Sequence, residues 1–166
     1  MFEKLKGLVG GMSITDNMLL KTYGDQQGPF LRRKPAKALA EKLIQRLQIS
    51  TPSASIAVKK LSGGNVQKVL LGREIDLYPK VLITAYPVRG LDIGSSYTIY
   101  DLLQEQKRKG VGILYIGEDL DVLLELCDRI VVLCGGQVSG VVDGRTTNKM
   151  EVGALMTRMG GGKADE

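Results

Sequence analysis

The chain has 166 residues, 43% hydrophobic and 25% charged, with a formal net charge of +5. That size and apolar fraction suit one packed domain, which excludes a wholly disordered chain; 21 glycines without a three-residue period and only two cysteines exclude collagen-like and disulfide-rich scaffolds. Histidine is absent, so His-based metal sites, Ser-His-Asp triads and histidine general bases are excluded within the chain.

No apolar run is long enough to predict a transmembrane helix, and Met1 to Lys6 lacks the apolar stretch of a signal peptide. Residues 1–60 hold 11 Lys/Arg against 4 Asp/Glu, whereas residues 61–166 hold 12 against 14. The run Arg32-Arg33-Lys34 with Lys37 reads as a solvated helix start; no interleaved aromatics offer base stacking, so no nucleic-acid partner is expected. Cys127 and Cys134 read as two buried thiols of a reducing cytoplasm.

In chain order, Ser13 or Thr15 caps a short helix running to about Tyr23, and Gly24 to Pro29 is a loop. Ala36, Leu39, Ala40, Leu43, Ile44 and Leu47 recur at helical spacing, and Ser50-Thr51-Pro52 closes that helix. Beyond residue 60, strand and helix alternate. Val81 to Ala85 reads as a buried strand, Ser95 to Lys109 as a helix, Val111 to Ile116 as a strand, and Leu120 to Cys127 as a helix face. Ile130 to Cys134 and Gln137 to Val142 form a hairpin about Gly135-Gly136, and Met150 to Met156 is a last helix. The pattern predicts a parallel sheet with right-handed crossovers, to which the hairpin adds an antiparallel strand. The expected organisation is a basic helical part at 1–60, a partial α/β core at 61–158 and a flexible tail at 159–166.

Leu61-Ser62-Gly63-Gly64-Asn65-Val66-Gln67-Lys68 opens a helix with Val66, Val69, Leu70 and Leu77 as its apolar positions. A hydroxyl, two glycines and a helix N-terminus make an anion site, because backbone N–H groups can approach an oxyanion and the helix dipole adds positive potential.

Those eight residues resemble the signature motif of ABC-transporter ATPases, and their ending resembles the subfamily that imports simple sugars and nucleosides. Pro87-Val88-Arg89-Gly90-Leu91-Asp92 resembles the family's D-loop. Ile116 to Asp121 resembles its switch region, and Asp128 to Leu133 with Gly136-Gln137-Val138 its closing hairpin. The resemblance implies an α/β fold: the C-terminal part of a RecA-like P-loop NTPase domain with a helical subdomain, its P-loop half missing. It further implies that Ser62, Gly63, Gly64 and Gln67 meet ATP held by a partner's P-loop, and that Asp92 lies at the dimer interface.

Three positions depart from the family pattern. The family's magnesium-holding Asp and water-polarising Glu fall at Ala85 and Tyr86, and its switch histidine falls at Glu118. Alanine has no oxygen for a hard cation, tyrosine is no general base near neutral pH, and a carboxylate repels a γ-phosphate. The pattern resembles the second, degenerate ATPase domain of two-domain sugar and nucleoside importers. No Gly-x-x-x-x-Gly-Lys-Ser/Thr occurs, so the chain is expected to begin after the P-loop and the family's Gln-containing loop.

ATP and magnesium are accordingly expected only in a complete two-domain assembly, and turnover by the chain alone is not. The implied partners are a P-loop-bearing ATPase half and a membrane permease, at the cytoplasmic face of the membrane. The alternative is a stand-alone, non-catalytic module that binds an ATPase or permease. The missing half also predicts uncovered apolar surface on strands 81–85 and 111–116, and hence self-association.

Overall fold

The computed structural model describes residues 7–26 and 30–157; Met1 to Lys6, part of the Gly24 to Pro29 loop and the 159–166 tail lie outside the described residues. The chain divides into two compact units, Met1–Leu82 with Pro87–Ile113, and Ile83–Tyr86 with Leu114–Glu166.

The first unit opens on helix α1 (Ile14–Thr22), whose cap is Ser13: its Oγ accepts from the Asp16 N–H at 3.0 Å. Thr15, the other candidate cap, is buried and donates its hydroxyl to the Ala54 carbonyl at 3.2 Å. Asn17 is fully buried and pins the preceding turn: its Oδ1 accepts from the Val9 N–H at 2.8 Å, and its Nδ2 donates to Val9 O and Ser13 O. Helix α2 (Arg33–Arg46) buries Ala36, Ala40 and Leu43, with Leu47 just beyond its end, and packs on α1. Leu39 and Ile44, on the flanks of the same stripe, are half-buried.

A 3₁₀ turn over Val58–Lys60 leads into α3 (Gly63–Asp76), which buries Val66, Val69, Leu71 and Ile75. Leu70 is half-buried, and Leu77, read as part of this face, stands past the helix end at 43% exposure. Gly72 lets α2 come close, since a Cβ there would sit 2.8 Å from Leu47 Cδ1. Helix α4 (Ile93–Arg108) packs on α3 and buries Ile99, Leu102 and Leu103. It begins two residues before the expected Ser95, because the Asp92 carboxylate caps it.

Strand β1 (Val81–Ala85) pairs with β2 (Gly112–Ile116). The Gly112 N–H donates to Lys80 O and the Tyr86 N–H to Ile116 O, at 3.0 and 2.8 Å; both chains advance together between these bonds, so the pair is parallel. The buried strand read from the sequence is corrected here: only Leu82 of β1 is buried. Val81 and Ile83 are 63% and 67% exposed, and Leu114 and Ile116 of β2 are 54% and 42% exposed. Alternate residues share a face of a strand, so one whole face of this pair is apolar and uncovered. The uncovered apolar surface expected for these two strands is therefore present.

In the second unit, Asp119 caps α5 (Leu120–Leu126) by accepting from the Asp121 and Val122 N–H groups. Strands β3 (Arg129–Cys134) and β4 (Gln137–Asp143) form the expected antiparallel hairpin, with Ile130 opposite Val142 and Val131 opposite Val141. Gly135 and Gly136 turn it at φ of 56° and 78°, the two left-handed positions a tight hairpin turn demands. Ile130 and Val132 pack with Val152 of α6 (Lys149–Thr157) and with Leu120, Leu123 and Leu124. Val131, Leu133, Val138 and Val141, on the opposite face, are exposed.

Among the described residues β3 pairs only with β4, so the continuous sheet expected from the strand–helix alternation is replaced by two two-stranded sheets. A two-residue turn closes the β3–β4 pair at little loop-closure entropy, and that local pairing satisfies β3 without β2.

Candidate functional site

The signature segment is built by the turn that opens α3. Ser62 is extended, at φ −65° and ψ 160°, and its Oγ accepts from the Asn65 N–H at 3.4 Å and from Asn65 Nδ2 at 2.9 Å. Asn65 is held in turn, its Oδ1 accepting from the Ser50 N–H at 3.0 Å. A hydroxyl offers two lone pairs and one proton. With both lone pairs engaged by Asn65, the proton of the exposed Ser62 is left to donate outward.

Gly64 is buried, and its identity follows from packing: a Cβ there would lie 2.5 Å from Ser95 Oγ and 2.9 Å from Ser95 Cβ. The starts of α3 and α4 therefore touch, and Asp92 is part of the same contact. Its Oδ1 accepts from the Ser95 N–H and its Oδ2 from the Ser95 hydroxyl, both at 2.8 Å. Those two bonds, the backbone one foremost, hold the Asp92 carboxyl below the usual carboxylate range, and the Lys68 ammonium adds to the effect. Lys68 is 9% exposed, an unusual burial for a lysine. Gly63 and Gln67 are half-buried on the same first turns. Ser62, Gly63, Gly64, Gln67 and Asp92 thus belong to one unit and one neighbourhood.

Ala85, Tyr86 and Glu118 belong to the second unit, and all three are exposed. Tyr86 sits directly after β1 at φ 48°, a left-handed backbone that is sterically uncomfortable for a bulky side chain. Its N–H nevertheless completes the ladder to Ile116. Ala85 contributes a methyl group and Tyr86 a phenol, and among the described residues no group of three Asp, Glu, Cys or His side chains could hold a metal ion. The donor set at this position does not fit magnesium. Cys127 and Cys134 form no disulfide and are half-buried, where the sequence predicts buried thiols: each lies at the edge of its element and not in the core.

In the sequence, Asn65 and Lys68 stand out only as members of the signature run and Ser95 only as a helix start, and none of the three is given a role at the site. The signal for Ser95 was available: Asp92 three residues before a serine at a helix start is a cap followed by its partner. Nothing local announces the burial of Lys68 or the engagement of Asn65 by Ser50, since both depend on distant chain.

Among curated proteins the chain is 35% identical over 155 residues to the galactose/methyl galactoside import ATP-binding protein MglA of Vibrio vulnificus, covering 92% of this chain and 31% of that one. It is 38% identical over 153 residues to the ribose import ATP-binding protein RbsA of Clostridium perfringens, covering 90% and 30%. It is 36% identical over 163 residues to the nucleoside import ATP-binding protein NupA of Lactococcus lactis, covering 96% and 32%. The chain thus spans about a third of the length of these relatives. No family model matches it. Among solved structures, the dimeric ATP-binding cassette MJ0796, in a post-hydrolysis state bound to ADP and Pi, superposes with a TM-score of 0.72 at 20% identity, over 88% of this chain and 62% of that one. A nucleotide-free cassette from an ABC transporter gives 0.66 at 23% identity, over 89% and 60%. By sequence the chain is similar to about a third of the ATP-binding proteins of sugar and nucleoside import, and its α/β fold matches part of the ATP-binding cassettes of ABC transporters.

Proposed function

We propose that this chain is the signature-bearing portion of an ATP-binding subunit of an importer for a simple sugar or nucleoside, and that it completes an ATP site whose phosphates are held by another polypeptide's P-loop. The observation that carries this reading is Ser62: it is exposed at the start of α3 and its Oγ accepts from the Asn65 N–H and Nδ2, which leaves its own proton as the capacity it can offer a ligand. There the hydroxyl and the first N–H groups of the helix would donate to a γ-phosphate, stabilising charge without moving. Gly64 and Gln67 would shape the same turn, and Asp92, fixed through Ser95, would meet the partner domain.

The chain's own hydrolytic position is read as silent. Ala85 offers no cation ligand, Tyr86 is no base near neutral pH, and Glu118 presents negative charge. No step is routed through magnesium at this position. The partners are a P-loop-bearing ATPase half and a membrane permease, placing the chain at the cytoplasmic face of the membrane; among the described residues no helix is long and apolar enough to cross one.

The test is ATP turnover by the purified chain alone and mixed with the P-loop half of a sugar-import ATPase. The expected result is no turnover alone, turnover in the mixture, and a loss of about a hundredfold in the mixture with Ser62→Arg. Steady turnover by the chain alone, above that of its Ser62→Arg variant, overturns the reading. Binding of the P-loop half without turnover, unaffected by Ser62→Arg, selects the non-catalytic interaction module instead.

A further inference from the structure

We propose that residues 30–34 form a lipid-contact patch that docks the first unit directly onto an anionic membrane surface, independently of the shared ATP site. Phe30 and Leu31 are adjacent and 82% and 62% exposed, so the chain presents two large apolar side chains to water side by side. Three exposed cations follow at once, Arg32, Arg33 and Lys34, with Lys37 one turn further along α2. Arg33 pairs with Asp16 and Lys37 with Glu41, whereas Arg32 and Lys34 have no ion-pair partner among the described residues.

The placement is electrostatically unfavourable in the isolated chain. Helix α2 has no acidic residue in its first turn, so cations stand at the helix end whose dipole repels them. An external anionic surface relieves that repulsion. Arg32 is tied to Gln26: Gln26 Nε2 donates to Arg32 O at 3.3 Å, and the Arg32 N–H donates to Gln26 Oε1 at 2.7 Å. Tyr23, in the turn after α1, is a further exposed amphipathic ring at 58%.

The order of the residues selects lipid over other polyanions. An apolar tip with a cationic collar directly behind it matches the depth order of a leaflet, acyl chains beneath phosphate headgroups. Leu31 has no π-face with which to stack on a base, and Phe30 is the lone aromatic of the run. The wider charge distribution orients the chain in the same sense, with 11 Lys/Arg against 4 Asp/Glu over residues 1–60 and 12 against 14 over the rest.

The experiment is vesicle binding by the full chain. The sequence has no tryptophan, so Phe30→Trp supplies a single tryptophan at the tip, read apart from the six tyrosines by selective excitation. Vesicles of phosphatidylcholine with phosphatidylglycerol should blue-shift its emission and co-sediment the protein, and vesicles of phosphatidylcholine alone should bind at least about tenfold more weakly. Arg32→Glu with Lys34→Glu should lower binding by about tenfold or more at equal lipid. This pair places acids at a helix start, where the dipole favours them, so folding is retained. Phe30→Ser with Leu31→Ser should leave binding that vanishes at raised salt, because only the screened charge contribution remains. Absence of a blue shift with anionic vesicles, equal binding to neutral ones, or equal retention by polyglutamate or duplex DNA overturns the proposal. None of these readouts depends on ATP turnover, so they stand or fall apart from the function proposed above.

Discussion

At the start of α3, the described polar contacts of the motif all have work within their own unit. Ser62 caps the helix, Asn65 ties the cap to Ser50, Gly64 admits Ser95, and Ser95 is gripped by Asp92. At the end of β1 the corresponding side chains are exposed. Ala85 ends in a methyl group, Glu118 faces water, and Tyr86 carries an exposed ring on a left-handed backbone. The difference separates two ways in which a site residue can be held. Signature residues are locked by packing and capping, so replacing them damages the fold as well as the chemistry. After β1 the ladder is continued by a backbone bond, from the Tyr86 N–H to Ile116 O, which does not depend on the side chain at that position.

The sharpest contrast should come from glycines. In the second unit a Cβ on Gly144 would overlap the backbone carbonyl oxygen of Cys127, which cannot rotate away. Gly144→Ala should therefore cost about 3 kcal/mol in urea unfolding and raise amide exchange in β3 and β4, while α3 amides stay protected. In the first unit, Gly64→Ala meets the Ser95 side chain instead, which can give way only by disturbing the cap of α4. The expected loss is about 1–2 kcal/mol, and Ser95→Gly should recover part of it in a double-mutant cycle. Full additivity of the two substitutions would break the assignment of Gly64 to packing.

The smallest effect is the pH dependence of the first unit. Hydrogen bonds from Ser95 depress the Asp92 carboxyl, and Lys109, followed by Arg46, depresses Glu105. A depressed folded-state pKa contributes stability that is present above the unfolded value and lost as pH falls through the folded one. Stability should thus decline below the ordinary values of 3.8 for Asp92 and 4.5 for Glu105. Asp92→Asn should flatten the Asp92 part of that decline by lowering stability at neutral pH, because asparagine keeps the backbone cap through its Oδ1 while its Nδ2 cannot accept from the Ser95 hydroxyl. A melting series between pH 3 and pH 7, on the order of neutral to mildly acidic buffers, provides the check.

Much of the architecture was legible because it is set locally. Ser13 and Ser62 announce helix starts, Gly135-Gly136 announces a hairpin, and the α2 periodicity puts Ala36, Ala40 and Leu43 inside. The site segment was legible too, since eight consecutive residues carry it. The burial of β1 was not, because an apolar run specifies what avoids water and leaves open whether a neighbour arrives to cover it. Nor was the split of the sheet, which depends on which strand edges meet. Arg73 illustrates the same limit: it is 4% exposed and donates to Gly7 O at 2.6 Å, a partner 66 positions away.

The uncovered face of Val81, Ile83, Leu114 and Ile116 has a consequence in terms of mass action. A surface that gains by contact makes the free form a function of dose: halving the amount of chain shifts every association equilibrium toward the separate state. Copy number then becomes a physical variable of this protein alongside temperature and salt. The dependence of the associated fraction on chain concentration, alone and with a partner added, then measures what covers that face.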